Sequence, residues 1–242
     1  MSGAPVLLVH GSCHGAWCWR GVIPALEARG VSARAIDLPG HGADKTPLAE
    51  VTLAGYARAI IDAARAMHDG PVPILGHSMA GYAIAAAAVE APEVVEKLIF
   101  LCAYVPQEGR SMVDLRKAGP RQPLLPAIRQ HADGISYSFA EEYHKRLFYQ
   151  DCSDADVAFA RAHLTPQAIL PQATPLALSP AYHTLEKHYI RCTEDNVIPT
   201  EYQAHMARGF APGHLTTLPA SHSPFFSMPE RLADRVVAIL AR

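Results

Sequence analysis

Apolar residues follow two rhythms along this chain, and their alternation outlines a fold. Residues 6–10 form an apolar run of the kind that fills a strand buried on both faces. Residues 19–29 place Val22, Ile23 and Leu26 at helical spacing, and Gly30 ends the helix. Residues 31–38 read as a second strand, stopped by "PGHG". Residues 53–67 predict a helix with Tyr56, Ile60, Ala63 and Ala64 on one face. A short strand at 73–75, a helix at 79–91 and a strand at 94–103 follow. From Pro106 to Tyr182 the pattern changes to helices punctuated by Pro120, Pro123, Pro126, Pro166, Pro171, Pro175 and Pro180. The alternation then resumes, with strands at 185–192 and 214–218 and helices at 200–208 and 229–241. This order predicts an α/β fold with one doubly wound, mostly parallel sheet of about six strands. Residues 1–105 and 183–242 would form that core, and 106–182 a helical lid inserted into it.

Composition narrows the class. The 242 residues suffice for one sizeable core, and with half of them apolar and 18% charged the chain is not a disordered one. The formal charge of -2, with no basic run, argues against a nucleic-acid partner, since phosphate binding needs clustered Lys and Arg. No stretch approaches the ~20 apolar residues of a membrane span. The N-terminus lacks a basic leader and enters its apolar run at once, so it reads as a first strand and not as a signal peptide. Cys13, Cys18, Cys102, Cys152 and Cys192 are odd in number and contain no C-x-x-C pair. Free thiols in the cytoplasm are the expectation. A homodimer is the default for a soluble enzyme.

The chemistry centres on "GHSMAG", residues 76–81. A strand that turns at once into a helix forces the residue between them into a strained conformation, with its side chain above the sheet. Ser78 holds that position. Gly76 and Ala80 are the small neighbours, with Gly81 after them. The amide of Met79 would face developing negative charge at a helix N-terminus. A serine before a helix can also serve only as its N-cap. The second oxyanion amide would come from the loop after the first strand, "HGSCHGAWCW", where Gly11 permits close approach and Ser12 supplies the N–H. His14, Trp17 and Trp19 read as pocket wall or core.

A serine nucleophile needs a base. Of the 13 histidines, His222 alone lies between the last strand and the last helix, where elbow enzymes carry it. His214 sits before that strand, and His77 should point away from the serine oxygen. His183, His188 and His205 read as surface or lid. The acid should follow the penultimate strand, in "CTEDNVIP". Asp195 is favoured to orient the imidazole, with Glu194 in reserve. An Asx-type turn before Pro199 would also explain Asp195. Asp37 more plainly braces its own turn.

Several longer strings resemble one family. "VLLVHGSCHGAWCWRGVIPALEARG", "ILGHSMAGY", "LCAYVPQEG", "RCTEDNVIPTEYQ" and "ASHSPFFSMPERL" resemble the plant methylesterase and hydroxynitrile lyase branch of the α/β-hydrolase superfamily, including its bacterial carboxylesterases. "LFYQDCSDADVAFARAHLTPQ" resembles that branch's lid. The resemblance implies a Ser-His-Asp hydrolase with no cofactor or metal and a small apolar pocket. It departs from the lyases at Gly11, where they carry a threonine, and at Ser223, where they carry a lysine. Both departures favour hydrolysis of small carboxylic esters through an acyl-enzyme. Hydroxynitrile cleavage, carbon–carbon hydrolysis, cofactor-free dioxygenation and a non-catalytic receptor remain the alternatives. Gly11, Cys13, His77, Tyr104, Tyr137, Phe139, Leu147, Phe148 and Ser223 are the expected pocket residues, and the role of Cys13 is open.

Overall fold

A computed structural model describes residues 3–242. Its main sheet has six parallel strands, β1 Val6–Val9, β2 Ala33–Ile36, β3 Val72–His77, β4 Val95–Leu101, β8 Glu186–Cys192 and β9 Leu215–Leu218, in the order β2-β1-β3-β4-β8-β9. Every residue of β1 and β3 is buried, which explains why their apolar runs do not alternate. Helices α1 Val22–Glu27, α2 Leu53–Met67, α3 Ala80–Glu90, α8 Thr200–Met206, α9 Pro224–Ser227 and α10 Pro229–Leu240 belong to the same core. Among them α1 packs on α10, and α2 on α3. The alanines of α3 are buried along most of its length, since small side chains let the helix lie close to the sheet.

The chain leaves β1 toward β2 on one side and returns to β3 on the other. The loops after β1 and β3 therefore part from adjacent strand ends, where Val9 pairs with Gly76. In open α/β sheets such a reversal opens a crevice at the C-terminal strand edge. Ser12 and Ser78 stand on those two loops. Asp37 ties the first of them down, accepting from the amides of Ala16 at 2.6 Å and Ala43 at 2.9 Å.

The segment between β4 and β8 was expected to be helical. It contains α4 Met112–Ala118, a π-helical turn His144–Phe148, α5 Asp154–His163, α6 Leu170–Ala173 and α7 Pro180–Thr184. It also contains a three-stranded antiparallel sheet of β5 Ile128–Gln130, β6 Ser136–Phe139 and β7 Gln167–Ala168. The signal for it is Asp133-Gly134 before an alternating "SYSF". Gly134 takes φ +70° and Asp133 accepts from the amides of Ile135 and Ser136.

Three further expectations change. The first helix divides at Gly21 into a tight turn, Ala16–Arg20, and α1, and Gly21 packs against Pro229. Strand β3 runs to His77, so the serine follows it directly. His188, expected at the surface or in the lid, is buried in β8 and stacks on His214 with ring centroids 4.0 Å apart. Among the described residues no helix is long and apolar enough to cross a membrane.

Candidate active site

Ser78 takes φ +56°, a left-handed conformation rare for a residue with a side chain. Its backbone is pinned on three sides. Its amide donates to Leu101 O at 3.1 Å, and its carbonyl accepts from Gly81 at 3.2 Å and Tyr104 at 3.1 Å. The serine does not cap α3, whose N-cap is Met79 with no side-chain bond. Its Oγ meets His222 Nε2 instead, at 3.0 Å. The glycines around it are required by contact. A Cβ on Gly76 would press on Ala80 O and Ile84, and one on Gly81 would overlap the carbonyl oxygen of Tyr104. Gly81, not Ala80, is therefore the position after the serine that tolerates no side chain.

His222 Nδ1 lies 2.7 Å from Asp195 Oδ2. A carboxylate only accepts, so Nδ1 carries the proton and Nε2 is left to receive one from Ser78. Asp195 is held by three further donors. Oδ1 accepts from the amides of Val197 at 2.6 Å and Ile198 at 3.0 Å, and Oδ2 from Gln203 Nε2 at 2.8 Å. The Asx turn suspected from sequence is thus present, and it coexists with the bond to the imidazole. Glu194 contributes no side chain to this arrangement, while Gln203 is a residue that sequence reasoning missed. The carbonyl of His222 accepts from His77 Nε2 at 2.8 Å, which fixes the loop carrying His222. Burial holds His77 neutral, with its pKa well below the ordinary value. Its ring, expected to point away from the serine, packs beside that of His222 with centroids 4.6 Å apart and borders the cavity over Ser78.

Ser12 and Met79 both border the cavity above Ser78. Among the described residues their amides donate to no protein group. Between Ser12 and His14 the backbone of Cys13 takes φ +63°. That turn is held from the inserted segment. Thr165 donates its amide to Cys13 O at 2.9 Å, and Gln172 Nε2 donates to Ser12 Oγ at 2.9 Å. Tyr149 OH pairs with His14 Nε2 at 2.8 Å, and the amide of Cys13 reaches Gln167 Oε1 at 3.4 Å.

A family model described as "Alpha/beta hydrolase family" matches residues 6–235. The chain belongs to the alpha/beta hydrolase family. It is 32% identical over 246 residues to the "Pyrethroid hydrolase" of Sphingobium wenxiniae, covering 98% of this chain and 87% of that protein. It is 27% identical over 248 residues to "Methylesterase 2" of Arabidopsis thaliana, covering 96% of this chain and 94% of that one. A solved pyrethroid hydrolase from Sphingobium faniae superposes with a TM-score of 0.85 at 29% identity, over 98% of this chain and 97% of that chain.

In this alpha/beta hydrolase a cavity of about 250 Å³ lies over the serine. Its walls are mainly apolar, with Met112, Leu124, Ile128 and Ile169 joining Phe139 and Phe148. Of the expected pocket residues, His77, Tyr104, Tyr137, Phe139 and Phe148 border it, as does His14. Gly11, Cys13, Leu147 and Ser223 do not. Gly11 lies beneath, where a Cβ would stand 2.7 Å from His77 Nδ1 and 3.0 Å from the Ser78 Cβ. Its role is this close approach. The Cys13 thiol is buried in apolar surroundings that push its pKa far up, so it is not a reactive thiolate. Leu147 faces a separate groove beside Asn196. Ser223 is fully buried at the start of α9, its amide donating to Ser221 Oγ at 3.1 Å. Gln172, Arg116 and Lys117 border the cavity without having been singled out in the sequence.

Proposed function

We propose that the protein is a serine carboxylesterase that cleaves small carboxylic esters through an acyl-enzyme. The observation that carries this reading is the continuous chain from Ser78 Oγ through the His222 ring to Asp195, buried beneath an apolar cavity. In this reading Ser78 Oγ attacks the ester carbonyl carbon while His222 Nε2 takes its proton. The amides of Ser12 and Met79 receive the oxyanion, each worth about 3 kcal/mol of transition-state stabilisation. The alcohol leaves with the proton from His222. Water, deprotonated by the same nitrogen, attacks the acyl carbon; the acid departs and Ser78 regains its proton. Asp195 keeps the imidazole in the productive tautomer and offsets its transient charge. The activities named for the pyrethroid hydrolase and methylesterase relatives support ester cleavage. The five free thiols support a reducing, cytoplasmic setting.

The test is a panel of p-nitrophenyl acetate, methyl esters and mandelonitrile with wild type and Ser78→Ala, alongside fluorophosphonate labelling. Ester turnover and labelling that both vanish in the variant are the expected result. Cyanide release without ester turnover would point to lyase chemistry, and a folded protein that neither reacts nor labels would be a receptor.

A further inference from the structure

The cavity over Ser78 is unequal in charge. Among the described residues no acidic side chain borders it, and two cations do, Arg116 and Lys117. Both stand in the last turn of α4, where positive charge complements the helix dipole. The dipole explains their place in the sequence but not their facing the cavity. Arg116 is half-buried and Lys117 exposed. Among the described residues neither side chain forms an ion pair, and neighbouring carboxylates are engaged elsewhere. Asp114 bonds Ser111, and Glu201 takes a two-pronged bond from Arg121 at 3.0 Å. A half-buried guanidinium without a counter-ion has given up part of its hydration for no protein partner. Its field also reaches inward. Burial raises the pKa of the Tyr104 and Tyr137 hydroxyls, and the charge of Arg116 offsets part of that rise.

We propose that Arg116 and Lys117 form a carboxylate subsite at one end of the cavity, and that the preferred esters carry a free carboxylate remote from the scissile bond. This rests on the ester-hydrolase reading above. Hemi-esters of dicarboxylic acids have this chemistry on the acyl side, and acyl esters of hydroxy acids have it on the alcohol side. Either way one ester bond is cleaved by water, and the remote carboxylate takes no part beyond binding. A planar guanidinium beside a mobile ammonium suits a carboxylate that varies in reach.

The experiment compares kcat/KM for monomethyl suberate and dimethyl suberate, and for para-acetoxybenzoate and its methyl ester. Within each pair the remote carboxylate is replaced by its methyl ester, so suberate rates are counted per ester bond and the aromatic pair is followed by release of the phenol. Wild type is expected to favour one anionic ester by about tenfold, the scale of hydrogen bonds to charged groups. The winning pair tells whether the carboxylate belongs to the acyl or the alcohol part. The preference should shrink as salt rises from about 20 mM to about 500 mM. The double variant R116Q/K117Q should lower the anionic ester's kcat/KM much more than the neutral one's, whereas R231Q on α10 should leave both unchanged. Equal or better turnover of the neutral esters by wild type, or a preference that survives R116Q/K117Q, overturns the subsite. So does turnover of p-nitrophenyl acetate with none of the four test esters. Failure on every ester, p-nitrophenyl acetate included, instead overturns the hydrolase reading.

Discussion

Ser78 and Cys13 hold the same unusual backbone sign, φ +56° and φ +63°, on loops leaving adjacent strands, yet they are restrained differently. The bonds that pin Ser78 come from Leu101, Gly81 and Tyr104, all on β4, its outgoing loop or α3. Ser78, the proposed nucleophile, is thus built into the sheet. The Cys13 turn has local bonds within residues 11–14, but Tyr149, Thr165, Gln167 and Gln172, all in the segment between β4 and β8, brace it from a distance. The proposed oxyanion half of the site is therefore braced by that segment. The same segment reaches the loops that carry Asp195 and His222. Asn196 Nδ2 donates to Arg146 O at 3.0 Å, and the amide of Ser221 donates to Asp151 at 2.8 Å. The inserted chain is a clamp over three loops as well as a pocket wall.

The largest effect should come from the sheet-borne half. Ser78→Ala removes the proposed nucleophile and is expected to lower kcat for p-nitrophenyl acetate by about 10⁴-fold or more, with the melting temperature nearly unchanged. Turnover within tenfold of wild type would mean that this oxygen is not the attacking group. Next comes Gly81→Ala. The new methyl would overlap the backbone oxygen of Tyr104, and neither backbone can yield without moving the elbow. A stability loss of about 3 kcal/mol by urea titration is expected. A near-neutral result would show that the elbow is softer than its hydrogen bonds suggest.

Acid should strain the oxyanion half through its histidines. His10 Nε2 accepts from the amide of Leu38 at 3.0 Å, and His14 Nδ1 bonds Ser12 O at 2.7 Å. Burial lowers their pKa values to about 4 and about 3. Unfolded imidazoles take up protons below about pH 6.5, whereas these do so only near their depressed values. The unfolded state therefore binds more protons in that window, and stability falls as pH falls. Between pH 6.5 and pH 5 each of the two is expected to cost about 2 kcal/mol. Urea midpoints measured across that range check it, and a flat profile would mean that these rings are protonated in the folded protein.

How much of this was legible in the sequence follows the same division. The core strands and helices announce themselves by period, and the positions of Asp195 and His222 follow from chain order around one sheet edge. The inserted segment is opaque because its strands are two to four residues long and its contacts are distant. Gln172 lies 160 residues from the serine it bonds. Nothing local to "LPQA" marks it. Arg116 and Lys117 carry no mark in the sequence. Only the folded cavity shows which way they face.

The smallest effect tests that distant bond. Gln172 is buried; its Oε1 accepts from Tyr137 OH at 3.0 Å while its Nε2 reaches Ser12 Oγ. Gln172→Ala leaves the Ser12 amide in the chain but removes one restraint on the turn that aims it. The expected outcome is a kcat about tenfold lower, a fraction of the loss for deleting a whole oxyanion donor. KM for a small acetate should change little, because such a substrate does not need the far wall. Gln172→Met separates aim from packing. It keeps the size but can neither donate to Ser12 Oγ nor accept from Tyr137 OH, so it should lose kcat as the alanine variant does. Activity close to wild type in both variants would mean that Thr165, Gln167 and Tyr149 hold the turn unaided. A loss in KM alone would make Gln172 a wall of the pocket and not a brace of the oxyanion loop.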